Sequence, residues 1–262
     1  MNPHFSHRHL LTIIFFFVIV TACQDEPPLQ SASYTGSSSE ALILNQNESN
    51  ESNASIGELI PLEEAIALTD TYQSNNPDQP AALFIGTDAM QQLLDLPNMV
   101  AIRWIFGYTS SSELSVIIEP LIEAADGSMY GDSDHLLQAY QPSGYESSSP
   151  LFHGEETEAP TISPSDGLAI SLDDAQSMVD AYIAGTGEGR ALIQGRTLLE
   201  TLLTHQSTPG LWLYIGQDAI ANQEILATPS NVGNTTPSYP VADRSTVCPP
   251  FCPPGFTSEI VL

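Results

Sequence analysis

Ile60-Pro61-Leu62-Glu63-Glu64-Ala65 returns as Ile170-Ser171-Leu172-Asp173-Asp174-Ala175, an offset of 110, and this repetition limits what the chain can fold into more than any other feature. The register carries on through Asp70 with Asp180 and Tyr72 with Tyr182. One residue is then lost in a loop. At an offset of 109, Ala82-Leu83 matches Ala191-Leu192, Gly86 matches Gly195, and Leu93-Leu94 matches Leu202-Leu203. Gly107 then matches Gly216, and Pro120 matches Pro229. A single gap across so many agreements points to an internal duplication, so each copy is one supersecondary unit read twice.

The unit can be read from its periodicities. Leu62, Ala65, Ile66, Thr69 and Tyr72 share one helical face, as do Leu172, Ala175, Met178, Val179 and Tyr182. Ser171 followed by Asp174 makes a capping-box-like start, and Pro61 suits the first turn of the earlier copy. A second helix is expected after Gly86 and Gly195, with Met90, Leu93 and Leu94 or Leu199, Leu202 and Leu203 inward. Then the period changes to two. Val100, Ile102, Trp104 and Phe106 point one way and Ala101, Arg103 and Ile105 the other. In the second copy Leu211, Leu213 and Ile215 oppose Trp212 and Tyr214. Glycine, a polar loop and a partner strand ending at Pro120 or Pro229 complete a hairpin.

The expected fold class is therefore α+β, with two tandem helix–helix–β-hairpin repeats over 59–123 and 168–230. One such unit is small and marginal alone. Two copies can complete one pseudo-symmetric sheet or stand as two beads. The Ser-, Gly-, Pro- and acid-rich stretch 124–167 is long for a loop within one domain and favours two beads in contact. Residues 23–58, with the low-complexity run Asn47-Glu48-Ser49-Asn50-Glu51-Ser52-Asn53-Ala54-Ser55, read as a disordered tether, and 231–262 as a C-terminal tail.

The start of the chain has an address. A short basic leader precedes an uncharged apolar run from Leu10 to Val20, too short to span a bilayer, and 1–22 reads as a signal peptide. Val20-Thr21-Ala22-Cys23 resembles the bacterial lipobox. That resemblance implies cleavage before Cys23, diacylglycerol on its thiol and acylation of the new amine. Several acyl chains hold a protein to a membrane where one alone is marginal. Gln24-Asp25-Glu26 looks like the acidic export tag of Bacteroidota lipoproteins and implies the outer membrane, with the periplasmic and the outward face both open to it.

Charge narrows the partners. There are 32 acidic residues against five arginines and no lysine, a formal net charge of −27. A field of that sign repels nucleic acid and acidic polymers. It suits solubility in salt, clustered-carboxylate binding of Ca²⁺, or docking to a basic partner. With Cys23 lipidated, Cys248 and Cys252 remain, and an even count outside the cytoplasm favours a disulfide. Hydrophobic residues make up 42% of the chain, enough for a packed core.

The repeat motif, the strand Trp212-Leu213-Tyr214-Ile215-Gly216 and the tail Cys248-Pro249-Pro250-Phe251-Cys252 resemble a family of small Bacteroidota proteins of unassigned function. The first copy departs from that pattern at Pro61 and Arg103. The resemblance implies architecture and lineage and no activity.

Candidate chemistry is sparse. No Gly-x-Ser-x-Gly, P-loop, dinucleotide fingerprint or His-Glu-x-x-His occurs, so no catalytic residue, cofactor or metal site is assigned. Of the histidines beyond the leader, His135 and His153 lie in the acidic linker and His205 follows a helix. Glu63-Glu64 and Asp173-Asp174 stand where a helix N-terminus favours acid. Asp126 to Asp134 is the best cation loop, without the EF-hand spacing. Trp212 and Tyr214, opposite the presumed core face, are candidates for an exposed aromatic pair that binds a partner or glycan. The sequence thus reads as a membrane-anchored, non-enzymatic interaction module of the cell envelope, its partner an envelope protein or glycan. The alternatives are an envelope hydrolase with scattered acidic residues and a Ca²⁺-stabilised surface protein.

Overall fold

Ala82-Leu83-Phe84-Ile85-Gly86 and Ala191-Leu192-Ile193-Gln194-Gly195 are strands, buried at every position. A segment covered on both faces has no alternation, so its period cannot distinguish it from a helix lead-in. These two strands reorganise the fold. The computed structural model describes residues 53–142, 161–204, 208–230, 240–243 and 246–248.

The described elements run β1 (Glu58–Ile60), α1 (Leu62–Asn75), β2 (Ala82–Gly86), α2 (Thr87–Leu94), β3 (Met99–Tyr108), β4 (Leu114–Glu123), β5 (Met129–Gly131) and β6 (Leu137–Gln138). They continue as β7 (Leu168–Ala169), α3 (Leu172–Thr186), β8 (Ala191–Gly195), α4 (Arg196–Leu203), β9 (Gly210–Gln217), β10 (Gln223–Pro229), β11 (Val241–Asp243) and β12 (Thr246–Cys248). The strands form two antiparallel sheets. The first is ordered β1-β11-β10-β9-β2, and the second β12-β8-β3-β4-β6-β7, with β5 also on β4.

This corrects the tandem helix–helix–hairpin expectation. The protein is a mixed α/β structure dominated by sheet, and all described residues belong to one compact unit. Its halves exchange strands. β1 and β2, from the first half, lie in the sheet built on the second half's β9–β10 hairpin. β7 and β8, from the second half, lie in the sheet built on the first half's β3–β4 hairpin. The backbone bonds repeat in the same sense. Ile215 N–H donates to Ala81 O and Phe106 N–H donates to Arg190 O, each at 3.1 Å. Beyond each hairpin the chain crosses back. After β6, Tyr140 bridges Phe84 of β2; after β11, β12 pairs with β8.

Three apolar layers follow. Ile102, Trp104, Phe106, Val116 and Ile118 of one sheet meet Leu83, Leu211, Leu213, Ile215 and Ile225 of the other in a central core. Helix α2 and helix α4 contribute Met90, Leu93, Leu94, Leu199 and Leu202 to it. The outer faces are also covered. Ala175 and Val179 of α3 pack on Ala101, Ile105, Ile117 and Ile193. Ala65 of α1 packs on Ala82, Phe84, Trp212, Tyr214 and Leu226. Each helix therefore covers the other half's hairpin. Each buried Leu or Ile contributes roughly 1.5–3 kcal/mol, and most of that burial is shared between halves.

Local signals set the element ends. Ser171 Oγ accepts Asp174 N–H at 3.1 Å and donates to Asp174 Oδ2 at 2.7 Å, closing the start of α3. Pro61 stands at the cap position of α1, just before its first helical residue. Gly187 ends α3 with φ 89°, the left-handed conformation glycine adopts without strain. Where the halves meet, Gly210 lies opposite Gly86. A Cβ on Gly210 would stand 2.2 Å from Ile85 O, and one on Gly86 2.1 Å from Pro164 O, so backbones touch there.

Segments expected to be tether and tail take part. Asn53–Ser55 forms a 3₁₀ turn and Ile56 O accepts Gly195 N–H at 2.7 Å. Asp166 O accepts Gly86 N–H at the same distance in the other half. Residues 241–243 and 246–248 enter the two sheets as β11 and β12. Among the described residues no helix is long and apolar enough to cross a membrane, which says nothing of β-barrels.

Candidate functional site

Period two correctly separates Trp212 and Tyr214 from the central core, but both faces of their sheet are covered. Trp212 is 4% exposed and Tyr214 fully buried, beneath α1. The Trp212 ring meets the Phe84 ring edge-on at 5.2 Å, and Phe84 stands on the exchanged β2 directly opposite. The exposed aromatic pair is thus a packing element, and the sequence expectation is corrected. Cys23 and Cys252 lie outside the described residues. For Cys248 the structure gives a place in β12, opposite Ala191.

The other candidate groups are held in local structure. Asp126 Oδ1 accepts Ser128 N–H at 3.0 Å and Ser128 Oγ–H at 2.6 Å, closing a turn. Asp132 accepts Asp134 N–H, and its other oxygen lies 2.9 Å from His135 Nδ1. Glu63, Glu64, Asp173 and Asp174 sit in the first turns of α1 and α3, where the helix dipole favours acid. Among the described residues no group of three or more His, Cys, Asp or Glu gathers to hold a metal. His153 and His205 lie outside them.

Two buried charge clusters were not singled out from sequence. In the first, Arg103 of β3 pairs with Glu119 of β4 directly across the hairpin. Their side chains are 2% and 0% exposed. Burial pushes the guanidinium down from its ordinary value, and the Glu119 carboxylate acts in the opposite sense. Gly131 leaves room for that carboxylate, since a Cβ there would stand 2.2 Å from Glu119 Oε1. At the matching positions of the second half, Trp212 faces Thr228. One half thus buries an ion pair where the other buries an aromatic ring. The pair is enclosed, so its chemistry is structural rather than open to a substrate.

The second cluster joins the two sheets. Arg190, just before β8, donates from Nε to Gln223 O at 2.8 Å and from Nη1 to Asn222 Oδ1 at 3.1 Å. Its Nη2 lies 3.8 Å from Glu224 Oε1, with side-chain exposures of 11% and 17%. Tyr182 Oη–H donates to Gln223 Oε1 at 2.7 Å. The Glu224 carboxyl is pushed up to about 8, first by burial and then by the Asp243 carboxylate. Arg190 acts against both, and Asp218 adds to the rise. Asp243 is 5% exposed, on the neighbouring strand β11. Carboxyls perturbed in this way gather at functional sites, and this one stands in a cluster of charges that joins the two sheets.

The sequence carried a signal for the first cluster, an arginine in mid-strand among Ile102, Trp104 and Ile105. Glu119 becomes its partner only once the hairpin register is known. The second cluster draws on β8, β10 and a tail strand far apart in sequence, and no local pattern joins them. Comparison of the chain with protein families, with curated proteins and with solved structures finds no match.

Proposed function

We propose that the protein is a lipid-anchored component of the cell envelope, with a folded part that acts as a non-catalytic interaction module. The observation that carries this reading is the apolar run Leu10 to Val20 followed by Val20-Thr21-Ala22-Cys23. Diacylglycerol on Cys23 provides the anchor. The outer membrane, facing outward, is the location that Gln24-Asp25-Glu26 favours. The net charge of −27 turns away nucleic acid and suits a basic or neutral envelope partner, protein or glycan. The non-catalytic part is supported by the carboxylates and histidine described above, which serve caps, turns and ion pairs.

Metabolic labelling with an alkyne-tagged palmitate tests the anchor. The wild-type chain is expected to incorporate label and to sediment with membranes. Cys23→Ser is expected to lose the label and either keep its leader or leave the membrane fraction. Label retained in the serine variant, or a mature wild-type chain free of lipid, contradicts the reading. Turnover of an envelope polysaccharide that one point mutation abolishes contradicts its non-catalytic part.

A further inference from the structure

The two main hairpins turn through the same kind of loop, and only one of the two is apolar at its tip. Thr109-Ser110-Ser111-Ser112-Glu113 links β3 to β4, and Asp218-Ala219-Ile220-Ala221-Asn222 links β9 to β10. Thr109 N–H donates to Glu113 O and Asp218 N–H to Asn222 O, each at 2.9 Å. Ser112 N–H donates to Thr109 O at 2.9 Å and Ala221 N–H to Asp218 O at 3.1 Å. Ser112 and Ala221 both take left-handed backbone, with φ 64° and 70°. The turn therefore accepts serines where it carries Ala219, Ile220 and Ala221, and its geometry does not call for an apolar side chain. All three are exposed, and Ile220, at 80%, is the most exposed large apolar side chain among the described residues.

The apolar loop is braced from outside as well as from within. Asp218 Oδ1 accepts Ile220 N–H at 3.0 Å and Asn222 N–H at 2.7 Å, and its Oδ2 accepts Asn222 Nδ2–H at 2.8 Å. Gln217 Nε2–H donates to Ala221 O at 3.2 Å, and Arg190 Nη1–H to Asn222 Oδ1 at 3.1 Å. Asn75, at the end of α1, donates to Gln217 Oε1 at 2.7 Å. Both halves thus hold the loop, and little freedom is left to lose when the tip is covered. The surroundings are acidic. Asp218 carries its charge in the loop itself, and exposed Glu188 lies two residues from the Arg190 that holds it.

We infer that the β9–β10 loop is a docking point, at which Ile220 enters an apolar pocket of a protein partner rimmed by lysine or arginine. A rigid convex tip fits a concave pocket, and the acids beside it select a basic rim. A second copy of this chain brings its own net charge of −27 and is repelled, as is an anionic bilayer surface. Burial of the isoleucine accounts for roughly ten- to hundredfold in affinity. The inference rests on the interaction role proposed above, to which it gives a contact point, and not on the lipid anchor.

Photo-crosslinking in the cell that makes the protein tests the docking point, with benzoylphenylalanine in the full chain in place of Ala219, of Ser110 in the matching loop, or of exposed Tyr130. The Ala219 probe is expected to give one discrete protein adduct, whose crosslinked peptide carries lysine or arginine. Adding Ile220→Ser, the first half's residue, is expected to reduce that adduct about tenfold or more. The Ser110 probe is expected not to give it. Ile220→Ser alone is expected to leave the urea midpoint unchanged, because Ser111 sits on the same backbone. An adduct that survives Ile220→Ser, the same adduct from Ser110, an adduct only with lipid or with a second copy, or a lowered urea midpoint overturns the inference. Adducts from Ser110 or Tyr130 with none from Ala219 overturn it and leave the interaction role standing. No adduct from any probe removes both.

Discussion

Replacing Glu119 by leucine is expected to lower stability by about 3–5 kcal/mol. The reason is the charge it leaves behind. Arg103 is 2% exposed and reaches the Glu119 carboxylate under α3, between the apolar side chains of Ala101 and Ile105. Burial already works against its guanidinium, and Glu119 offsets that. With the carboxylate gone, the buried guanidinium loses its cross-strand countercharge in a dry layer. For a domain of this size the loss corresponds to a melting temperature lower by on the order of 10 °C. The double variant Arg103→Met with Glu119→Leu is expected to recover most of it, because two apolar side chains of similar volume replace both charges together. Urea denaturation of the three proteins is the measurement. A single variant within 1 kcal/mol of wild type, or a double variant no better than the single, contradicts the account of this pair.

Trp212→Ala is expected to cost a similar amount, about 3–5 kcal/mol, through the cavity it opens. Trp212 is packed against Phe84 of the exchanged β2, against Tyr214, and beneath α1. Its loss therefore weakens the contact by which the first half's strand and helix sit on the second half's hairpin. Chemical denaturation measures it. If stability is unchanged while capture of an envelope partner disappears, the ring is a binding surface and its placement under α1 is wrong.

These residues show what the sequence could and could not convey. The repetition at offsets 110 and 109 located the helices and hairpins, because hydrophobic periodicity reports which face of an element is apolar. It does not report which copy supplies the covering layer. Trp212 and Tyr214 alternate with Leu211, Leu213 and Ile215 as an outward face would, and α1 of the other half covers them. β2 and β8 went unread as strands because burial on both faces removes alternation. β1, β7, β11 and β12 have only two or three residues each, too few for any period to emerge. Their place comes from tertiary pairing alone. Of the charge clusters, Arg103 was conspicuous in its strand. Glu224 and Asp243 are two more acids among 32, and only the ladder between β10 and β11 brings their strands together.

The central claim is that the two halves exchange strands and share their cores. A specific protease site placed between residues 143 and 160, cut after folding, tests it directly. Exchange predicts that the cleaved halves run together as one particle on size exclusion, unfold in a single cooperative transition, and separate only in denaturant. Halves that part under native conditions, each keeping its circular dichroism and its own cooperative unfolding, would contradict it.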